Sequence, residues 1–148
     1  MQEMYKFNAS RRTYIYSDYM IYSEGVIFFR NDEMELIQPY QVDVLTSPAV
    51  NVGAMLQNNR SELAQVDDAM LLRLDKVLAV FAKKGIKHLV LGAWGCGVFR
   101  NDPKDVVGYF AHFLGKGGKY EKSFERIRFS VLDTNNRGMY ERFAQLAK

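Results

Sequence analysis

The longest regular pattern of apolar positions is Leu63, Val66, Met70, Leu74, Val77 and Phe81. Steps of three and four residues place these side chains on one face, so the spacing predicts an amphipathic helix. Asn59 followed three residues later by Glu62 has the form of a capping box at its start. Lys83-Lys84-Gly85 supplies dipole-compensating cations and a glycine stop at its end. Ile86 to Leu91 is a short, mostly apolar run that reads as a strand. A second helix is predicted to open at Asp102-Pro103, with aspartate as N-cap, proline at the first helical position and Asp105 facing the positive dipole end. Val106, Phe110 and Phe113 form its apolar stripe, and Gly115, Gly117 and Gly118 end it. Ile127 to Leu132 reads as another strand, and Arg137 to Lys148 as a terminal amphipathic helix with Tyr140, Phe143 and Leu146 on one side.

Upstream the pattern is weaker. The first 23 residues, including Tyr14, Tyr16, Tyr19 and Tyr22, follow a period of neither two nor 3.6, and no element is assigned to them. Val26 to Arg30 is β-branched and aromatic, Asn31-Asp32 suits a turn, and Glu33 to Ile37 returns as the second strand of a hairpin. Val42 to Thr46 reads as a strand ended by Ser47-Pro48, because proline cannot donate to a ladder. From residue 42 onward strands and helices alternate. That order predicts an α/β domain with a largely parallel sheet, since parallel strands need crossover helices.

Length adds that 148 residues make one domain, and 48% hydrophobic residues suffice to enclose its core. The net charge of +3 comes from 20 basic residues interleaved with 17 acidic ones, so no basic tract marks a nucleic-acid binder. Lys83-Lys84 and the lysines from 116 to 122 read as solvated faces. A single cysteine, Cys96, excludes an internal disulfide and disfavours a cysteine-based zinc site. No apolar run approaches the roughly 20 residues that span a bilayer, and the first residues lack a signal-peptide core. A cytoplasmic location is the expectation.

Candidate chemistry concentrates between the second predicted strand-helix pair, in Gly92-Ala93-Trp94-Gly95-Cys96-Gly97-Val98-Phe99-Arg100-Asn101. In an open α/β sheet, ligands bind beyond the carboxyl ends of strands, which is where this segment falls. Its glycines permit positive φ and close approach to a ligand, so successive backbone N–H groups can converge on one anion. Asp102 and Asp105 oppose an anion at the helix tip, which leaves the loop amides as the binding groups. A P-loop is excluded, because Val98-Phe99 stand where Lys-Ser/Thr is required. A dinucleotide fingerprint fits poorly: the third glycine is replaced by Arg100, and the acidic candidate Asp133 lies 36 residues beyond Gly97 instead of about 20. The bland alternative is a glycine-rich connection, but three glycines in six residues beside a tryptophan and a phenylalanine exceed what a connection requires.

The stretch from Val90 to Pro103 closely resembles the second ligand loop of microbial-type poly(ADP-ribose) glycohydrolases. Tyr16 to Ser23, Thr46 to Gly53 and Val131-Leu132-Asp133 resemble further blocks of that family in the same order. The resemblance implies a macrodomain-like fold, a three-layer sheet with helices on both faces, N-terminally truncated so that the chain is a single domain corresponding to the C-terminal portion. It implies ADP-ribose or a related nucleotide as ligand, held by Gly92, Gly95, Cys96, Gly97, Val98, Phe99 and Arg100, with Asn51 close to the cleft. Backbone amides from Gly95 to Phe99 would carry the diphosphate, and Phe99 would pack near a ribose. The family's catalytic glutamate follows a glycine-rich loop within a Gln-Glu-Glu segment. Here Gln2-Glu3 is followed by Met4 and no glycine run precedes it, so no catalytic residue is assigned and no hydrolysis by the chain alone is expected. The remaining expectations are a partner chain that completes an enzyme, a homo-oligomer that covers a sheet edge, or a structural module without ligand. No cofactor, metal or membrane contact is expected. Cys96 reads as a packed side chain rather than a nucleophile, His88 and His112 as surface or structural groups, Trp94 as a core anchor, and the tyrosine run as packing.

Overall fold

The computed structural model describes residues 2–133 and 138–147. Contacts divide the chain into two compact units, Met1–Arg11 with Ser17–Pro48, and Arg12–Tyr16 with Ala49–Lys148.

The first unit holds helix α1 (Gln2–Ser10) and a long antiparallel ribbon, β1 (Ile21–Arg30) and β2 (Leu36–Thr46). Helix α1 falls where the sequence offers no period, and its few apolar positions explain that silence: Met4 is buried while Tyr5 and Phe7 are exposed. The expected hairpin is present but longer than predicted. Val42–Thr46 is the continuation of its second strand and pairs antiparallel with Ile21–Val26, so it does not open a parallel series. The registers Ser23↔Val44 and Val26↔Val42 leave Glu24 and Gly25 opposite Asp43. This is a β-bulge at a glycine with φ +63°, and the Asp43 carboxylate accepts the Gly25 N–H at 2.8 Å. A second irregularity lies between Phe28 and Arg30, opposite the segment that contains Pro39, where a missing N–H must interrupt the ladder.

In the second unit, α2 (Val52–Asn58) and a 3-10 turn (Arg60–Gln65) lead into α3 (Val66–Lys83). The predicted stripe is confirmed by burial of Met70, Leu74 and Val77. The capping box is not formed. Asn59 Oδ1 accepts from the Ser61 hydroxyl, and the buried Glu62 carboxylate accepts the distant Tyr14 N–H at 3.0 Å. A tertiary donor has displaced the local one. At the other end Gly85, at φ +73°, donates to Ala82 O while Ile86 N–H reaches Phe81 O. These are the paired bonds of a Schellman stop.

Strands β3 (His88–Gly92) and β4 (Arg126–Ser130) pair in parallel, with α4 (Pro103–Leu114) between them in sequence. Asp102 caps α4 by accepting the Lys104 N–H at 2.8 Å, and Pro103 follows, as the sequence predicts. Phe110 meets Phe129 edge-on at 5.0 Å, and Phe143 of α5 (Met139–Ala144) closes the aromatic cluster at 5.5 Å from Phe129. Val90, Arg126 and Arg128 point to the opposite face and are exposed, Val90 by 75%. The terminal helix is shorter than expected: α5 passes into a 3-10 turn at Gln145–Ala147. Arg137 and Lys148, its predicted limits, lie outside the described residues. Tyr140, placed on its apolar side by the sequence, is 62% exposed, whereas Phe143 is buried.

Candidate functional site

The glycine loop leaves the carboxyl end of β3 and returns at the N-cap of α4. Its course is fixed from inside by Asn101, which is 4% exposed. The Asn101 Nδ2 donates to Val50 O at 2.8 Å and to Gly95 O at 3.0 Å, while its backbone N–H also donates to Gly95 O. The loop is thereby closed on itself and on the Ala49-Val50 segment. A Cβ on Gly95 would stand 2.5 Å from Asn101 Nδ2 and 2.6 Å from the Ala49 Cβ, and Gly95 has φ +76°. Both the conformation and the packing require glycine there. Gly97 differs, since a Cβ there would meet nothing within 4 Å.

Of the five amides from Gly95 to Phe99, that of Cys96 is committed to Ala93 O at 3.0 Å. Those of Gly95, Gly97, Val98 and Phe99 donate to no protein acceptor among the described residues. Val98 is 90% exposed, which places the outer turn at the surface. Arg100 adopts φ +56°, strained for a residue with a side chain. Its methylenes would lie 3.1 to 3.3 Å from a Cβ on Gly53, and the Gly53 N–H donates to Phe99 O at 2.9 Å. The absence of a side chain at Gly53 thus lets α2 seat the loop.

Asn51 is the N-cap of α2. Its Oδ1 accepts the Ala54 N–H at 3.0 Å, and its Nδ2 donates to the Tyr16 hydroxyl at 3.2 Å. The Tyr16 ring lies 5.8 Å from the Phe99 ring. Asn51, Tyr16 and Phe99 therefore form a continuous wall, although they are far apart in sequence. Tyr16 sits at φ +63°, a conformation that only surrounding contacts can hold. Those contacts are visible: Arg73, 1% exposed, donates to Ile15 O at 3.0 Å and Tyr16 O at 3.4 Å. Tyr14 O accepts the Asn51 N–H, and Tyr14 N–H reaches Glu62. Sequence reading treats the tyrosine run as packing; the positive φ, the buried arginine and the ring pair that distinguish Tyr16 exist only in three dimensions. Gly53 and Asn101 are likewise site-building residues that local patterns do not single out.

Burial, reinforced by the Asp102 carboxylate, pushes the Cys96 thiol up to about 11, which keeps it protonated and argues against a nucleophile. Asp133 Oδ2 accepts the Met139 N–H at 2.8 Å and so caps α5. Desolvation and then the neighbouring Asp102 and Asp67 raise the Asp105 carboxyl, so the tip of α4 is an acidic place. His88 faces Glu125 on the surface at 3.7 Å, and His112 packs on the Phe113 ring. Among the described residues no group of three or more His, Cys, Asp or Glu could hold a metal ion, and no helix is long and apolar enough to cross a membrane.

A family model for the microbial-type PARG catalytic domain matches residues 1–31. No curated protein matches the chain. Among solved structures, poly(ADP-ribose) glycohydrolase from Deinococcus radiodurans in complex with ADP-ribose is 38% identical, with a TM-score of 0.91 over 97% of this chain and 58% of that one. The enzyme from Thermomonospora curvata is 40% identical, with a TM-score of 0.89 over 97% of this chain and 53% of that one. The apo form of the Deinococcus enzyme matches at 39% identity and a TM-score of 0.87, over 96% and 59% of the two chains. The chain thus spans less than two thirds of these relatives.

Proposed function

Because the chain belongs to the microbial-type poly(ADP-ribose) glycohydrolase family, of which it spans a part, we propose that the loop from Gly92 to Asn101 binds the diphosphate of ADP-ribose. The supporting observation is the loop itself, closed by Asn101 and Gly95 and carrying four amides, at Gly95, Gly97, Val98 and Phe99, without protein acceptors among the described residues. Backbone amides satisfy phosphate oxygens without adding a titrating charge, and a nest of them is an anion site. The Tyr16–Phe99 wall supplies an apolar surface for a ribose or base, and Asn51 retains unused donor and acceptor capacity beside it. The relative from Deinococcus radiodurans was crystallised with ADP-ribose, which supports the same ligand here.

On its own the chain binds without cleaving. Glycosidic cleavage needs a carboxyl group at the anomeric carbon, and the sequence contains no glycine run leading into Gln-Glu-Glu. A second reading, glycohydrolase activity once the remainder of the fold is present, is favoured by the 53 to 58% coverage of the glycohydrolase relatives. Calorimetric titration with ADP-ribose tests the first reading: a one-to-one isotherm with a matching rise in Tm is expected. Absence of both heat and thermal shift would leave only a structural module. Release of ADP-ribose from a modified protein, absent with the chain alone and present with the completed fold, tests the second.

A further inference from the structure

Arg73 lies on α3 between the buried Met70 and Leu74 and is itself 1% exposed. An apolar side chain would fill that position without loss of hydration, and an arginine is almost never enclosed so fully unless its donors are used. Its Nη2 donates to Ile15 O at 3.0 Å and to Tyr16 O at 3.4 Å. These two carbonyls flank the Tyr16 Cα. The Ile15 carbonyl belongs to the peptide plane whose rotation sets the φ of Tyr16, and the Tyr16 carbonyl belongs to the plane that sets its ψ. One buried guanidinium thus holds both planes around a residue at φ +63°, a region in which a bulky side chain is an outlier. At a negative φ the Cβ would leave the backbone in another direction. The ring would then lose its place 5.8 Å from Phe99, and the hydroxyl its bond from Asn51 Nδ2. The preceding residue is fastened separately, since Tyr14 N–H donates to Glu62 and Tyr14 O accepts the Asn51 N–H.

We propose that Arg73 is a positioning residue for the ADP-ribose site: acting through Tyr16, it sets that ring and hydroxyl against the sugar side of the ligand. This role rests on the reading that the loop from Gly92 to Asn101 holds the diphosphate. The Tyr16 hydroxyl accepts from Asn51 Nδ2, and among the described residues its own proton goes to no protein acceptor. A phenol in that state is a donor for a ribose hydroxyl, and its ring is an apolar face for sugar or base. Strained backbone persists where the surroundings over-determine it, and it clusters at ligand clamps. Arg73 is the group that over-determines Tyr16. The Asn101 bonds that close the glycine loop run to Val50 and Gly95 and do not use Arg73, so the two halves of the ligand are served by separate devices.

The test titrates ADP-ribose calorimetrically into the full chain as wild type, Arg73→Lys, Tyr16→Gly and the double variant, with the Tm of each. Lysine keeps the charge but replaces the rigid fork by a point donor, and glycine takes a positive φ without strain. Expected are a loss of affinity of about tenfold in each single variant and no further loss in the double variant. Tyr16→Gly should keep its Tm within about 5 °C of wild type. Unchanged affinity in either single variant overturns the proposal. So do losses that multiply in the double variant, the result of a merely structural role, because Arg73 would then act on the site by a route other than Tyr16. If Arg73→Lys does not fold, Tyr16→Gly decides alone: a tenfold loss in folded protein upholds the proposal and wild-type affinity overturns it. A wild-type chain that takes up no ADP-ribose overturns the loop reading and this proposal with it, whereas wild-type binding untouched by Tyr16→Gly overturns this proposal alone.

Discussion

Within ten residues the glycine loop is two different objects. Its inner half, Gly92 to Gly95 with Asn101, is fastened by three hydrogen bonds between Asn101 and the Val50 and Gly95 carbonyls and has no room for one more carbon at Gly95. Its outer half, Gly97 to Phe99, is surface-facing, open around Gly97, and rich in amides without protein acceptors among the described residues. The contrast teaches that glycines three positions or fewer apart in one loop serve different ends. Gly95 makes the loop possible, and Gly97 leaves space for what the loop would hold.

Tests at four positions separate the halves, in descending order of effect. Gly95→Ala adds a Cβ in a left-handed conformation, costing roughly 1–2 kcal/mol, and forces it into Asn101 and Ala49, for roughly 1–3 kcal/mol more. A fall in Tm of roughly 10 °C, with ADP-ribose binding abolished, is expected by calorimetry. Asn101→Ala strips donors from the Val50 and Gly95 carbonyls and costs on the order of 2–3 kcal/mol, read as a shift in denaturation midpoint at unchanged slope. Gly97→Ala should leave stability within about 0.5 kcal/mol, yet weaken ADP-ribose several-fold in titration. Equal damage from Gly95→Ala and Gly97→Ala would erase the distinction between the halves.

The smallest effect concerns Cys96, at the boundary. Its folded thiol is raised to about 11 from an ordinary value of 9.0. Any stability it contributes is complete below pH 9 and is lost as pH rises from there through the folded value, because the unfolded chain ionises first. Cys96→Ser should flatten that alkaline decline in Tm, and iodoacetamide at pH 8 should modify the native protein far more slowly than the unfolded one. Fast native alkylation would reopen the nucleophile reading.

The sequence by itself determined the elements whose causes are local. The stripe of α3, the Asp102-Pro103 start of α4 and the glycine stop at Gly85 follow from spacing and caps. So does the unusual composition of the loop, which carried the family resemblance. Where local and distant partners compete, only the tertiary structure decided. Glu62 left its capping box for Tyr14, Val42–Thr46 joined an antiparallel ribbon instead of a parallel series, and Asn51 and Tyr16 were brought beside Phe99. The reason is energetic: a cap or a turn is worth about 1 kcal/mol and can be outbid by one buried tertiary hydrogen bond to a charged group. No pattern within a window of the chain records which distant group will make that bond.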